Sequence, residues 1–156
     1  MNTFALYLHH VYHGDVPVEP DPVPDAYAGG EATLALANLY VFAEKIQDIK
    51  TKNSVLKAMH KVIYTVRVDG LWRAPSVQTT NIIYEGTPQS SPARKFIVDI
   101  FAHSAKGDWI ERHQGHSSEF LRELLIATLD KRPYLTSKNP TREDGGDSYM
   151  EEVLES

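Results

Sequence analysis

The stretch "EATLALANLYVFAEKIQD" (residues 31–48) decides the fold of this chain. Apolar residues fill it almost without a break, since only Thr33 and Asn38 interrupt them between positions 32 and 43. A helix that has no polar face is normally buried between neighbouring elements. We therefore expect a buried helix over residues 31–47, covered by the downstream helices or by another chain.

Other segments of the sequence also favour helices, because apolar residues recur three or four positions apart and serine or glycine stands at several expected ends. The predicted helices are residues 3–12, 51–66, 76–85, 91 to near 107, and 118–131. The segment at 76–85 also suits a strand, because Val77, Thr79 and Ile82 favour extended structure. We favour a helix that Ser76 would cap. The predicted fold is all-α, a small bundle of five or six helices.

Two of these helices carry apolar stripes that we expect to face the core. At about 100° per residue, one side of the first helix holds Phe4, Tyr7, Leu8 and Val11. The stripe of the last helix, which Ser117 would cap, holds Phe120, Leu121, Leu124, Leu125 and Leu129. On this basis His9 and His13 lie opposite the apolar side of the first helix.

The composition limits the function classes. A chain of 156 residues corresponds to one domain with a tail. The net charge of -5 and the lack of a dense Lys/Arg cluster argue against nucleic-acid binding. No apolar run approaches the ~20 residues that cross a bilayer, and no cysteine is present for disulfides, thiolate metal sites or nucleophiles. The N-terminus lacks the features of a secretory signal. We expect an intracellular protein, cytoplasmic or nuclear, with no membrane association.

The histidines offer an alternative chemistry. His9 and His13 stand four apart, the spacing at which two imidazoles share one helix face and can bind a metal. The candidate third ligands are Asp15, His113 and His116. The zinc-protease pattern is incomplete, because His10 occupies the position of its glutamate. A small histidine-dependent metal-binding protein is therefore the alternative function, while a polar helix end is the leading interpretation of the pair.

No catalytic motif is assembled in the sequence, which has neither a G-x-S-x-G turn nor a glycine-rich phosphate-binding motif. We expect Asp99 to pair with a nearby base such as Arg94 or Lys95. Trp72 and Trp109 stand at element boundaries, where a tryptophan side chain either packs into the core or contacts a partner protein. We predict a protein that is not an enzyme and that uses no cofactor or metal.

Three segments, "FALYLHHVYHGDVP" (4–17), "LALANLYVFAEKIQDIKTKNSVLKAMHKVI" (34–63) and "IIYEGTPQSSPARKFIVDIFA" (82–102), carry a family resemblance. They resemble the C-terminal half of a BTB/POZ domain of the class found in filamentous fungi, followed by its helical extension. The first is similar to a helix ending in a "YL-x-W-L-Y-T-G"-like phrase, and the second to the "L-x-x-LYVFAdKLqD" and "lkNaVidal" helices. The matching residues are Tyr7, Leu8, Val11, Tyr12 and Gly14, then Leu39, Tyr40, Val41, Phe42, Ala43, Lys45, Gln47 and Asp48, then Lys52, Asn53, Val55 and Ala58.

The resemblance implies a division of the chain. Residues 1–70 are a partial BTB/POZ-like helical region with a proline-rich acidic loop at 15–30, and residues 71–132 are the helical extension. Residues 133–156 are a polar, acidic tail whose composition predicts disorder. The sheet and two helices with which a complete BTB/POZ domain begins, and which carry its usual dimer interface, have no counterpart before Met1.

The resemblance further implies a non-enzymatic adaptor that binds other proteins. Some members of the family link substrates to cullin ubiquitin ligases. The expected partners are therefore other proteins, with a cullin and a second copy of the chain as candidates. The candidate protein-binding residues are Phe4, Tyr7, Leu8, Val11, Leu39 and Phe42.

Overall fold

Helices make up all the regular structure in the described part of the chain. The computed structural model describes residues 2–18, 30–65 and 74–131. The helices are α1 (Thr3–His13), α2 (Glu31–Lys45), α3 (Ile49–Tyr64), α4 (Val77–Gly86), α5 (Pro92–Ser104), α6 (Gly107–Arg112) and α7 (Ser118–Lys131). No strand occurs within these three ranges, so the predicted all-α fold is confirmed, with seven described helices where five or six were expected.

Several expectations fall outside the described residues. They are most of the proline-rich loop at 15–30, the C-terminal end of the helix predicted at 51–66, Trp72, and the acidic tail at 133–156.

α2 lies at the centre of the packing, as its apolar sequence predicts. Leu36, Leu39, Tyr40 and Ala43 are almost completely buried. The helix packs against α1, α3 and α4. The cover that the sequence requires therefore comes from helices of this chain, both from α1 before it and from the downstream helices.

Serine side chains cap three of the described helices, α4, α5 and α7, as the sequence predicts. The Ser76 hydroxyl accepts a hydrogen bond from the Thr79 amide (3.1 Å), and the Ser117 hydroxyl accepts one from the Phe120 amide (3.2 Å). The first cap starts α4, so the segment that also suited a strand is a helix. Both Thr79 and Ile83 of α4 are fully buried. The β-branched residues of this segment therefore pack between helices and not in a sheet.

Asp48 closes the turn between α2 and α3. Its carboxylate accepts hydrogen bonds from the Thr51 amide (3.0 Å) and from the Thr51 hydroxyl (2.7 Å). These bonds hold the pKa of Asp48 below its usual range. Because Asp48 is the cap, α3 begins at Ile49 and not at the predicted Thr51. An ion pair between Lys52 and Glu44 (3.0 Å) spans the same turn.

The short helix α6 differs from what the sequence predicts. The helix expected to run to near Gly107 ends at Ser104, and the six-residue α6 follows it. α6 places Trp109 against Phe101, with ring centroids 4.5 Å apart, so Trp109 packs onto the core. A helix this short cannot show the apolar repeat by which longer helices are recognised.

A buried arginine connects α4, α5 and α7. Arg94 on α5 is 6% exposed. Its Nη2 donates to the carbonyl oxygens of Tyr84 and Thr87 (2.6 Å each), and its Nε donates to the Thr87 hydroxyl (3.3 Å). Its Nη1 donates to the Glu119 carboxylate on α7 (2.7 Å). The sequence offered Arg94 and Lys95 as partners of Asp99. Arg94 makes its contacts elsewhere and is not that partner.

Asp99 instead binds two lysines. Lys131 at the end of α7 donates to one carboxylate oxygen (2.8 Å), and Lys95 donates to the other (2.7 Å), as the sequence predicts. These hydrogen bonds hold the pKa of Asp99 below its usual range. The carboxylate thus connects α5 to α7 at the protein surface.

The close approach of α2 and α4 depends on Gly86, where a Cβ would overlap the Val41 side chain. We expect Gly86→Ala to lower the free energy of unfolding by about 1–3 kcal/mol, the usual cost of overpacking. Gly107→Ala is the matched control, because a Cβ there meets no neighbour and alanine favours a helix more than glycine does. Denaturant unfolding of both variants measures the difference. Equal stability of Gly86→Ala and the parent would contradict the expectation.

Candidate functional site

α1 presents a different face to the core from the predicted one. Its buried residues are Leu6 and His10. Phe4 and Val11 are each 54% exposed, and Leu8 is 38% exposed. The predicted core position is therefore wrong for these three apolar residues, which form the outer face of the helix. We call Phe4, Leu8 and Val11 the α1 stripe.

The chain that follows α1 covers the opposite face of the helix. Gly14 has a φ of 82°, the left-handed conformation with which glycine commonly ends a helix. The His10 Nδ1 then lies 3.4 Å from the carbonyl oxygen of Asp15. Because a carbonyl oxygen only accepts, Nδ1 carries the proton in this contact. Val16 and Val18 pack against the core. This return of the chain keeps the His10 side of α1 inward and the α1 stripe outward.

Aromatic side chains lie between the α1 stripe and the core. The Phe42 ring on α2 lies edge-on to Tyr7 and Phe4, with centroid separations of 5.1 Å and 6.3 Å. Phe42 and Tyr7 are partly buried. Five of the six candidate protein-binding residues thus lie on the α1 stripe or beside it. The sixth, Leu39, is fully buried in the core, where a partner of the folded protein does not reach it.

The histidines of α1 pack side by side. The His9 and His13 ring centroids are 4.4 Å apart, and the His9 Nε2 lies 3.0 Å from the Asp15 carboxylate. Within residues 2–18, 30–65 and 74–131, no three His, Asp or Glu side chains are arranged to hold a metal ion. The metal-binding alternative therefore finds no ligand set in that part of the chain.

His116 lies in an aromatic cluster formed by α5, α6 and α7. Its ring centroid is 4.8 Å from Phe120, 5.3 Å from Trp109 and 6.0 Å from Phe101. Neither ring nitrogen has a hydrogen-bond partner in the described ranges. Burial, and then the nearby His113, lower the pKa of His116. In the sequence His116 stands out only as a candidate metal ligand, whereas in the structure its ring packs among aromatic side chains.

The orientation of α7 also differs from the prediction. Leu121, Leu125 and Leu129 of its expected core stripe are exposed, whereas Phe120 is fully buried and Leu124 packs partly buried against the core. Apolar residues occur on both sides of this helix, so their spacing alone does not indicate which side packs inward.

Comparisons of the chain with protein-family models, curated proteins and solved structures found no match. Among the described helices, none is long and apolar enough to span a membrane.

The lowered pKa of His116 predicts a loss of stability in acid. The unfolded state binds the proton below the ordinary histidine value of 6.5, whereas the folded state resists it. Stability therefore falls as the pH drops through that value. Between about pH 7.5 and about pH 5.5, the range in which histidine titrates, the melting temperature of the parent should fall. We expect a smaller fall in His116→Phe, which lacks the titrating ring. Thermal melts at both pH values measure this, and an equal loss in the two proteins would contradict it.

Proposed function

We propose that this chain is a non-enzymatic protein-interaction module, an adaptor that binds a partner protein through the α1 stripe. The observation that carries the proposal is the exposure of Phe4, Leu8 and Val11 along one line of a helix whose opposite face is buried. Single exposed apolar residues are ordinary on protein surfaces. A contiguous apolar patch is different, because it marks a surface that another molecule covers.

The form of the α1 stripe favours an amphipathic helix as the partner's binding segment. The spacing of four and then three residues is the one along which two helices pack. Phe42 and Tyr7 add aromatic surface beside it, and aromatic residues contribute strongly to binding energy at interfaces. α1 contains no Asp, Glu, Lys or Arg. We therefore expect the contact to be mainly apolar and only weakly sensitive to salt.

The family resemblance supplies the finer part of the proposal. α1 holds the first family phrase, while α2 and α3 hold the second and third. The order of a helix, a long connection and two adjoining helices agrees with the order in the family, which supports a BTB/POZ-type adaptor. On the same basis we propose that its partners include the components of a cullin ubiquitin ligase.

A charged substitution in the α1 stripe tests the proposal. We expect Val11→Glu to reduce partner capture roughly tenfold or more, because a carboxylate buried in an apolar interface has no partner there. Its melting temperature should stay close to that of the parent, since exposed substitutions change stability little. Ile49→Glu is the matched control, because Ile49 is an exposed apolar residue of α3. Quantitative mass spectrometry of proteins captured from cell extract compares the three.

Proteins captured by the parent and by Ile49→Glu, but lost with Val11→Glu, are the expected partners. A cullin among them would support the link to ubiquitin ligation, and its absence would count against that link alone. Capture that is unchanged by Val11→Glu would contradict the use of the α1 stripe.

A further inference from the structure

The His116 ring packs against three aromatic side chains that differ in how firmly they are held. Phe101 of α5 and Phe120 of α7 are almost completely buried, at 2% and 0% exposure. Their rings contact each other edge-on, with centroids 5.2 Å apart. Trp109 of α6 is only partly buried. Two walls around the His116 ring therefore belong to the core, and the third belongs to the short helix α6.

α6 is attached to the rest of the bundle mainly by Trp109. None of its six residues is buried, and Trp109 is its side chain that packs against the core. A cavity of about 190 Å³ lies beside this contact, with Phe101, Ala105 and Trp109 in its lining. A glycine stands at each end of the helix: Gly107 is its first residue, and Gly115 follows it with a φ of 99°. Glycine accepts the backbone rotations that a hinge requires.

The segment that carries His116 is held more firmly than α6. The Asn81 side chain on α4 donates a hydrogen bond to the Gly115 carbonyl oxygen (2.8 Å) and accepts one from the Ser117 amide (3.0 Å). These bonds fix the backbone on both sides of His116. The ring would therefore stay in place against α5 and α7 if α6 moved away.

The closed arrangement disfavours a proton on the His116 ring. Both ring nitrogens are buried, and neither has a hydrogen-bond partner in the described ranges. A protonated imidazole has two N–H donors, and burying a charge without hydrogen-bonding partners is costly. The attraction of a cation to aromatic rings supplies no acceptor for these donors. A charged ring therefore needs water, and water reaches it when one wall moves.

The charged groups near the ring do not offset this cost. After burial, the charge of His113 is the second cause that lowers the pKa of His116, because it opposes another positive charge. The His113 ring also stacks on Trp109, with centroids 4.7 Å apart. The carboxylates of the surrounding helices are bonded elsewhere or exposed: Asp99 to Lys95 and Lys131, Asp108 to Arg112, Glu119 to Arg94, Glu123 to Tyr84, and Glu85, Glu111 and Asp130 at the surface. The remaining cations of these elements are the exposed His103, Lys106 and Arg122.

From these contacts we propose that α6 is a pH-dependent lid, which opens when His116 takes up a proton and exposes the aromatic rings beneath it. Above the ordinary histidine pKa of 6.5 the ring is neutral in both forms, and the closed form is favoured. Below 6.5 the open form binds a proton that the closed form resists. The ratio of open to closed molecules then rises by up to about tenfold per pH unit, because one proton is taken up. The rise ends below the pKa of the closed form.

The lid does not depend on the adaptor function, because the α1 stripe belongs to a helix that packs on α2 and α3.

Fluorine NMR of the full chain, labelled with 5-fluorotryptophan, follows α6 directly. The sequence contains two tryptophans, and a Trp109→Phe sample assigns the Trp109 signal. As the pH falls from about 7.5 to about 5.5, we expect this signal to shift or split toward the open form. No signals of unfolded chain should appear over the same range. Histidine ring spectra of the parent give the pKa of His116, which should lie below 6.5.

His116→Phe removes the titrating ring and keeps an aromatic side chain in the cluster. We expect its Trp109 signal to stay in the closed position over the whole range. His60→Gln is the matched control, because His60 is an exposed histidine of α3, and it should respond as the parent does. If His116→Phe does not fold, the pKa of His116 in the parent still decides the matter.

A His116 pKa at or above 6.5 would overturn the proposal. A Trp109 signal that does not change with pH, or that changes equally in His116→Phe, would overturn it as well. The same holds for a Trp109 signal that changes only together with unfolding of the whole chain.

Discussion

A buried guanidinium determines how the C-terminal helices are arranged. A charge removed from water is costly unless hydrogen-bonding partners surround it. Arg94 meets this requirement with the Tyr84 and Thr87 carbonyl oxygens at the end of α4, where a helix leaves its last carbonyls without partners. Its remaining donors face Thr87 Oγ1 and Glu119, with a Glu123 oxygen 3.8 Å away. One side chain thus completes the end of α4 and fixes the start of α7.

The rotation of α7 follows from these contacts. Burial and the Glu123 hydrogen bond raise the pKa of Tyr84, so its hydroxyl keeps its proton and donates to that carboxylate. Glu119 and Glu123 are four residues apart and therefore share one face, beside Phe120. With that face held inward by polar contacts, Leu121, Leu125 and Leu129 must point outward. α1 behaves similarly, since His10 occupies its inner face and the apolar stripe its outer one.

The starts of most of the helices were predictable from the sequence, whereas the side of each helix that faces the core was not. Ser76 and Ser117 accept hydrogen bonds from amides three residues away, so their sequence context is enough to locate the helix starts. Which side of a helix faces inward depends on partners elsewhere in the chain. The inward face of α7 depends on the contact of Glu119 with Arg94, and that of α1 depends on the contact of His10 with the chain that follows the helix. Apolar spacing indicates the inward face of a helix only when its polar residues are exposed, and in α1 and α7 polar residues are buried with hydrogen-bond partners. The burial of α2 was predictable because that helix is apolar on all sides, so its orientation did not have to be known.

The position of the α1 stripe has a consequence for binding. α1 packs on α2 and α3, whereas α7 packs on α4 and α5. The proposed partner site and the polar contacts that orient α7 therefore use different helices. Exposed substitutions in the α1 stripe should change partner binding and leave the contacts of Arg94 with α4 and α7 in place, because additivity holds for sites that share no partners. A loss of binding that comes with a loss of stability would instead point to an unfolded variant.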